Sequence, residues 1–176
     1  MHIKSKSYIW LRPPDAYDYV EKTIGKLLFG KIEDRSEKLQ FVFVHELTHA
    51  HIGNRKLPTW INEGIAMITV DEYFSKCTVL ESTLTTLFKD HRNYNLVTYR
   101  KMANSRPIDI AFTYTYGYWA TRYIEEVYPN ILMEALTKNL KKNEFTRFIF
   151  DIMGINDICG QIANDIYTHF ENYENE

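Results

Sequence analysis

The segment HELTH, residues 45–49, contains two histidines four residues apart with a glutamate between them. On a helix, residues at this spacing lie about 40° apart around the axis and about 6 Å apart along it, so both imidazoles can face one metal ion. Glu46, between His45 and His49, can then reach the open side of that metal and accept a proton from water. Imidazole and carboxylate ligands with one open position favour zinc, so the pattern predicts a single Zn²⁺ ion.

A third metal ligand is expected at Glu63, early in the segment Pro58 to Ala66. A short glycine-containing loop joins this segment to the HELTH helix, so two antiparallel helices can bring Glu63 beside the histidines. Two histidines and one glutamate are a known ligand set of catalytic zinc sites. Two alternatives need no metal. The histidines could serve simply to cap their helix or form salt bridges, and Glu63 could serve simply to complement a helix dipole.

The motifs resemble those of the gluzincin zinc metallopeptidases, in particular the aminopeptidase N-like branch of the peptidase MA-like group and its minimal relatives. HELTHAHIGN (45–54) is similar to the family pattern HExxHxxxGN, and WINEGIA (60–66) is similar to WLNEGFA. The run TYTYG (113–117) contains a tyrosine-x-x-glycine element that opens a helix in the family. The resemblance covers residues 41–128, half of the chain, with the motifs in the family's order.

This resemblance implies a role for each matching residue. His45, His49 and Glu63 would bind one zinc ion, and Glu46 would be the general base. Tyr114 would donate its hydroxyl to the negative charge that develops on a peptide carbonyl attacked by water.

Two further positions belong to the predicted site. Tyr118 shares a helix face with Tyr114 and is the stronger rival donor, while Tyr116 lies on another face. Ordinary packing is the alternative for all three tyrosines. Asn62 directly precedes Glu63 and is a candidate for orienting a histidine through a hydrogen bond. His51 is expected to lie off the metal face.

The sequence also departs from the family pattern. Thirteen residues separate His49 from Glu63, fewer than in the aminopeptidase N pattern, and the motif resembling a grip on the substrate's free amine is absent. These differences favour endopeptidase-like hydrolysis of a peptide or protein substrate. Two other functions fit the same residues: a catalytically inactive metal-binding or regulatory domain, and a zinc hydrolase of a non-peptide bond.

The elements that must position these residues are mostly helices. Asp34 and Glu37 form a capping pattern that predicts an active-site helix over about 35–52, and Pro58 predicts the start of a second helix over about 58–73. A helical C-terminal half is predicted over about 82–170, and a β-type run from Ser7 to Arg12 predicts an N-terminal strand. With the resemblance, these elements predict a mostly helical α+β fold in one domain (1–176), similar to the zincin-like core of thermolysin and aminopeptidase N.

Composition excludes several classes of protein. A chain of 176 residues suits one domain. Lys and Arg number 21 and Asp and Glu 23, a net charge of −2, so neither nucleic acid nor a membrane is expected as a partner. Two cysteines exclude a disulfide-rich scaffold. The first residues lack the apolar core of a signal peptide, and no run reaches the roughly 18 apolar residues of a membrane span, so a cytoplasmic location is expected.

Overall fold

The computed structural model describes residues 25, 28–29, 34–55, 57–138, 140–155 and 161–171, whose regular elements are all helical. We number their α-helices in chain order as α1 Arg35–Ile52, α2 Thr59–Phe74, α3 Tyr99–Met102, α4 Pro107–Val127, α5 Ile131–Thr137, α6 Lys142–Met153 and α7 Gln161–Glu171. Two 3₁₀ turns, Gly53–Arg55 and His91–Asn93, and a π-helical turn, Leu84–Phe88, lie between them. No helix in these ranges is long and apolar enough to cross a lipid bilayer.

The predicted α+β, zincin-like fold is wrong, because the described part of the chain is helical and contains no strand or sheet. The predicted strand from Ser7 to Arg12 lies outside the described residues. The apolar run Phe41 to Val44, which has a strand-like composition, lies within α1. Helices here bury their apolar faces on one another, so the core that they form needs no sheet. The prediction of a helical C-terminal half is confirmed.

Helices α1 and α2 begin where the sequence signals place them. The Asp34 side chain accepts a hydrogen bond from the backbone N–H of Ser36 at 2.7 Å, which satisfies one of the free donors in the first turn of α1. The bounds of α1 match the predicted active-site helix over 35–52. Pro58 directly precedes α2, which begins and ends one residue later than the predicted 58–73.

Helices α1 and α2 pack antiparallel, as their short connection predicts. The rings of Phe41 and Phe74 meet edge to face with centroids 4.4 Å apart. Just beyond them, the Lys76 ammonium donates a hydrogen bond to the carboxylate of Glu37. The start of α2 therefore lies beside the C-terminal half of α1, which carries the HELTH histidines.

Helices α2 and α4 cross at two glycines. A Cβ atom on Gly64 would lie 2.2 Å from both the Gly117 carbonyl oxygen and the Thr121 Oγ1 atom. A Cβ atom on Gly117 would lie 2.1 Å from the carbonyl oxygen of Trp60. Because Trp60 meets Gly117 and Gly64 meets Thr121, the helices run in the same direction here. The backbones can approach this closely because neither glycine carries a side chain.

The core of the described residues surrounds α4. Tyr116 packs edge to face against Trp60, with centroids 5.4 Å apart, and stacks on Phe88 at 6.0 Å. The Trp119 indole N–H donates a hydrogen bond of 2.9 Å to Thr83 Oγ1, so its polar atom is satisfied in the core. Helices α6 and α7 cover this core with the fully buried side chains of Phe145, Ile149, Ile162 and Ile166.

Residues 93–106, which we call the α4 strap, are fastened to the first turns of α4. The Asp109 carboxylate accepts hydrogen bonds of 2.7 Å from Nε and Nη2 of Arg106, and one of 2.9 Å from the backbone N–H of Asn95. The backbone N–H of Val97 donates to Thr113 Oγ1 at 2.9 Å. These bonds fix the start of α3, and with it the side chain of Tyr99, relative to α4.

Replacing either glycine at the crossing by alanine should destabilise the protein. The added methyl group of Gly64→Ala or Gly117→Ala meets a backbone oxygen, so we expect a loss of about 1–3 kcal/mol or more in the free energy of unfolding, measured by urea denaturation. Gly53→Ala is the matched control, because Gly53 has a helical φ of −57° and no atom within 4 Å of the added methyl group. Equal stabilities for the three variants would contradict the close crossing.

The contribution of the strap anchor should depend on pH. Hydrogen bonds from Arg106 hold the pKa of Asp109 below its ordinary value of 3.8. A carboxylate with a lowered folded-state pKa stabilises the fold above its unfolded pKa and loses that effect as the pH falls through the folded value. Asp109→Asn should therefore be less stable than the natural protein at pH 7 in urea denaturation, with a difference that shrinks below about pH 4. A difference that stays constant down to pH 2.5 would show that the charge of Asp109 plays no part.

Candidate metal centre

Two histidines on α1 form the first half of the site. Their spacing of four residues places His45 and His49 on one face of the helix, one turn apart. The rings meet edge to face with centroids 4.5 Å apart, and their Nε2 atoms are 3.0 Å apart. Two ring nitrogens of neighbouring turns thus point at the same small volume.

Glu63 in the first half of α2 completes the group. Its residue is 1 % exposed, and its Oε2 atom lies 3.2 Å from Nε2 of His45 and 3.5 Å from Nε2 of His49. The antiparallel packing of α1 and α2 produces this meeting. The structure therefore brings together the three residues that the sequence predicted as metal ligands.

The three donor atoms have the spacing of a metal site. Two ligands of a tetrahedral ion with bonds of about 2.0–2.1 Å are about 3.3–3.4 Å apart, close to the observed 3.0, 3.2 and 3.5 Å. Two imidazole nitrogens and one carboxylate oxygen are also the donor types that bind borderline divalent metals. The residues present therefore fit a divalent metal ion.

The electrostatics of the three ligand residues favour a cation. Burial alone would raise the pKa of Glu63, but hydrogen bonds and charge interactions with the two histidines outweigh burial and lower it to about 2. Burial would lower the pKa of His49, but the hydrogen bond and charge of Glu63, together with the charge of Glu46, raise it. Glu63 is thus ionised at neutral pH, as a ligand must be, and the site attracts positive charge.

A tyrosine that the sequence analysis missed holds the other oxygen of Glu63. The hydroxyl of Tyr99 donates a hydrogen bond to Oε1 of Glu63 and accepts one of 2.7 Å from Nδ2 of Asn62. Burial and the charge of Glu63 raise the pKa of the Tyr99 hydroxyl, so it keeps its proton at neutral pH. Tyr99 lies in a polar connection outside every motif, and only its place in the folded chain identifies it.

Asn62 contacts both a tyrosine and a histidine of the site. The sequence predicts that Asn62 orients a histidine, and in the structure its side-chain amide donates a hydrogen bond of 2.7 Å to the Tyr99 hydroxyl. The Asn62 side chain also interacts with His49 and contributes to that histidine's raised pKa. Asn62 thus connects Tyr99, the hydrogen-bond partner of Glu63, with the imidazole of His49.

Glu46 and Tyr114 lie at the same site. Both are half-buried, and no hydrogen bond engages the Glu46 carboxylate within the described residues. Burial raises the pKa of the Tyr114 hydroxyl, and the charges of Glu63 and Glu46 raise it further. The charges of both carboxylates thus act on the Tyr114 hydroxyl, which remains protonated at neutral pH.

The rival tyrosines point elsewhere. The hydroxyl of Tyr118 donates a hydrogen bond of 2.6 Å to Oδ2 of Asp71, which lies about 12 Å beyond Glu63 along α2. Tyr116 is fully buried in the aromatic core. His51 is exposed, as its position off the metal face predicts. Of the three tyrosines that the sequence offered as donors, the structure brings only Tyr114 to the metal ligands.

Comparison of the chain with models of protein families, with curated proteins and with solved structures finds no match. The function of the site must therefore be argued from its own residues and geometry.

Metal binding should depend on the histidines at 45 and 49 and not on their neighbour at 51. We expect the chelator-treated protein to bind one Zn²⁺ per chain in a competition titration against a chromophoric chelator. His49→Ala should weaken this binding by more than about 100-fold, because loss of a ligand costs more than loss of its hydrogen-bond partner. His51→Ala, which removes an exposed imidazole of the same helix, should leave the affinity unchanged. Equal affinities of the two variants would exclude this metal site.

Proposed function

We propose that this chain is a zinc-dependent peptidase that hydrolyses peptide bonds with water. His45, His49 and Glu63 hold one Zn²⁺ ion, and Glu46 is the general base. The observation that carries the proposal is the meeting of three ligand atoms, two from α1 and one from α2, within 3.5 Å of one another. Glu46 directly follows His45 on α1. Endopeptidase-like action is part of the proposal, because the sequence lacks the motif that resembles a grip on a free amine.

The exposure of the ligands supports a catalytic site over a structural one. Catalytic zinc sites keep a position open for water and substrate, whereas structural sites are closed by four protein ligands. The side chain of Glu63 is 2 % exposed, but those of His45 and His49 are 20 % and 19 % exposed. One side of the ligand triad is thus accessible, and the described residues place only three ligands there.

Glu46 supplies the proton transfers of the reaction. When bound, zinc polarises the substrate carbonyl and lowers the pKa of water. Glu46 accepts a proton from the attacking water as the water oxygen adds to the carbonyl carbon. It then gives that proton to the leaving amine nitrogen as the C–N bond breaks.

Tyr114 supports the developing negative charge. The carbonyl oxygen of the substrate becomes an oxyanion as water adds, and a donor that is already in position stabilises it. The raised pKa of Tyr114 keeps the phenol protonated and able to donate.

The resemblance to the gluzincin peptidases supports the proposal through motifs alone. It assigns the same three ligands, the same base and the same tyrosine, but the fold that it implied is not the observed one. An inactive metal-binding domain would need the triad without a base. A zinc hydrolase of a non-peptide bond would use the same groups on another substrate.

Removing the base should abolish hydrolysis and leave the metal in place. Glu46→Gln keeps the size of the side chain and removes its ability to accept the proton, so we expect peptide cleavage to fall by about 10²–10⁴-fold at unchanged zinc content. Cleavage is measured by mass spectrometry on unlabelled peptide pools, and zinc by elemental analysis. Glu81→Gln, an exposed glutamate in a turn, is the matched control and should retain full activity.

The alternatives give different outcomes in that experiment. A zinc-loaded natural protein that cleaves no peptide but hydrolyses ester or amide compounds of low mass would favour the non-peptide hydrolase. Zinc loading without any hydrolysis would favour the binding domain. Unchanged cleavage by Glu46→Gln would sink the proposed mechanism.

A further inference from the structure

We propose that Tyr99 is a positioning residue for the metal site and that it fixes the ligand carboxylate of Glu63 through a hydrogen bond to Oε1. This inference rests on the proposed function and extends it. It assigns a role to the α4 strap, which no motif of the sequence marks.

The geometry divides the two oxygens of Glu63 between two tasks. Oε2 faces the imidazole nitrogens of His45 and His49 at 3.2 and 3.5 Å, while Oε1 accepts the hydrogen bond from Tyr99. A carboxylate held at one oxygen cannot rotate freely about its terminal torsion, so the other oxygen stays directed at the metal position. Partners of this kind raise metal affinity because they orient the ligand before the ion arrives.

The direction of each hydrogen bond follows from the chemistry. The side-chain NH₂ group of Asn62 can only donate, so the single proton of the Tyr99 phenol goes to Oε1 of Glu63. The phenol oxygen accepts a hydrogen bond from Nδ2 of Asn62 at 2.7 Å, so the Tyr99 hydroxyl acts as both donor and acceptor. Asn62 is the neighbour of Glu63 on α2, so the chain Asn62–Tyr99–Glu63 begins and ends on one helix.

The α4 strap holds Tyr99 from its other side. Val97, two residues before Tyr99, is bonded through its backbone N–H to the fully buried Thr113, which is the neighbour of Tyr114 on α4. Arg106 and Asp109 fasten the end of the strap. Although Tyr99 is 47 % exposed, its hydroxyl is thus anchored at a defined position relative to both α2 and α4.

The two tyrosines at the site have separable roles on this account. Tyr99 donates its hydroxyl hydrogen bond to the metal ligand Glu63 and acts through that residue. Tyr114 is the group proposed to contact the substrate. Loss of the first hydroxyl should therefore change metal affinity, and loss of the second should change turnover.

The test measures zinc affinity and turnover separately in three phenylalanine variants. We expect Tyr99→Phe to weaken Zn²⁺ binding by about 10–100-fold in competition with a chromophoric chelator, while kcat at saturating zinc stays within a few-fold of the natural value. Tyr114→Phe should keep the zinc affinity and lose kcat. Tyr73→Phe, which alters an exposed tyrosine at the far end of α2, should change neither quantity.

The outcomes distinguish this inference from the proposed function. A Tyr99→Phe variant with natural zinc affinity, in a protein that binds zinc and cleaves peptides, would overturn this inference alone. Natural affinity with a lost kcat would also overturn it, since Tyr99 would then act on the substrate side. A natural protein that binds no zinc would overturn both proposals. Asn62→Ala should shift zinc affinity in the same direction as Tyr99→Phe, which gives a second test through a different residue.

Discussion

The close approach of α2 and α4 at Gly64 and Gly117 is the constraint on which the site depends. Glu63 directly precedes the first glycine, and Tyr114 lies one turn before the second. A side chain at either glycine would force the helices apart and would separate the ligand carboxylate from the tyrosine hydroxyl. The packing of two backbones, rather than any polar contact, thus determines how far these two groups lie from each other.

A second constraint is the burial of a charged carboxylate. Glu63 is almost fully buried, and an isolated charge in that position would be strongly unfavourable. Two histidines of α1 and the hydroxyl of Tyr99 compensate this charge by contacting the two carboxylate oxygens. The site therefore couples three elements: α1 supplies the imidazoles, α2 the carboxylate, and the α4 strap the hydrogen bond that orients it. A divalent cation is the natural partner of such a cluster, since it satisfies all three donors at once.

The sequence predicted the local parts of this arrangement and failed on the architecture. Histidines four residues apart have a fixed relation on any helix, and a short loop leaves few ways to pack α2, so the meeting with Glu63 could be anticipated. The α+β fold was predicted from the β-type run Ser7 to Arg12 together with the family resemblance, and nothing in the spacing of the motifs requires a sheet. Tyr99 could not be found, because its place depends on how the α4 strap folds back over α4. Tyr118 could be separated from Tyr114 only once its partner Asp71 was located on α2.

X-ray absorption at the zinc edge on the natural protein loaded with one equivalent of Zn²⁺ tests the central claim most directly. The account predicts a first shell of four nitrogen and oxygen ligands at about 2.0–2.1 Å, with the outer-shell scattering of two imidazoles and no sulfur. A sulfur ligand at about 2.3 Å, such as the exposed Cys77 would provide, or a first shell without imidazole, would contradict it.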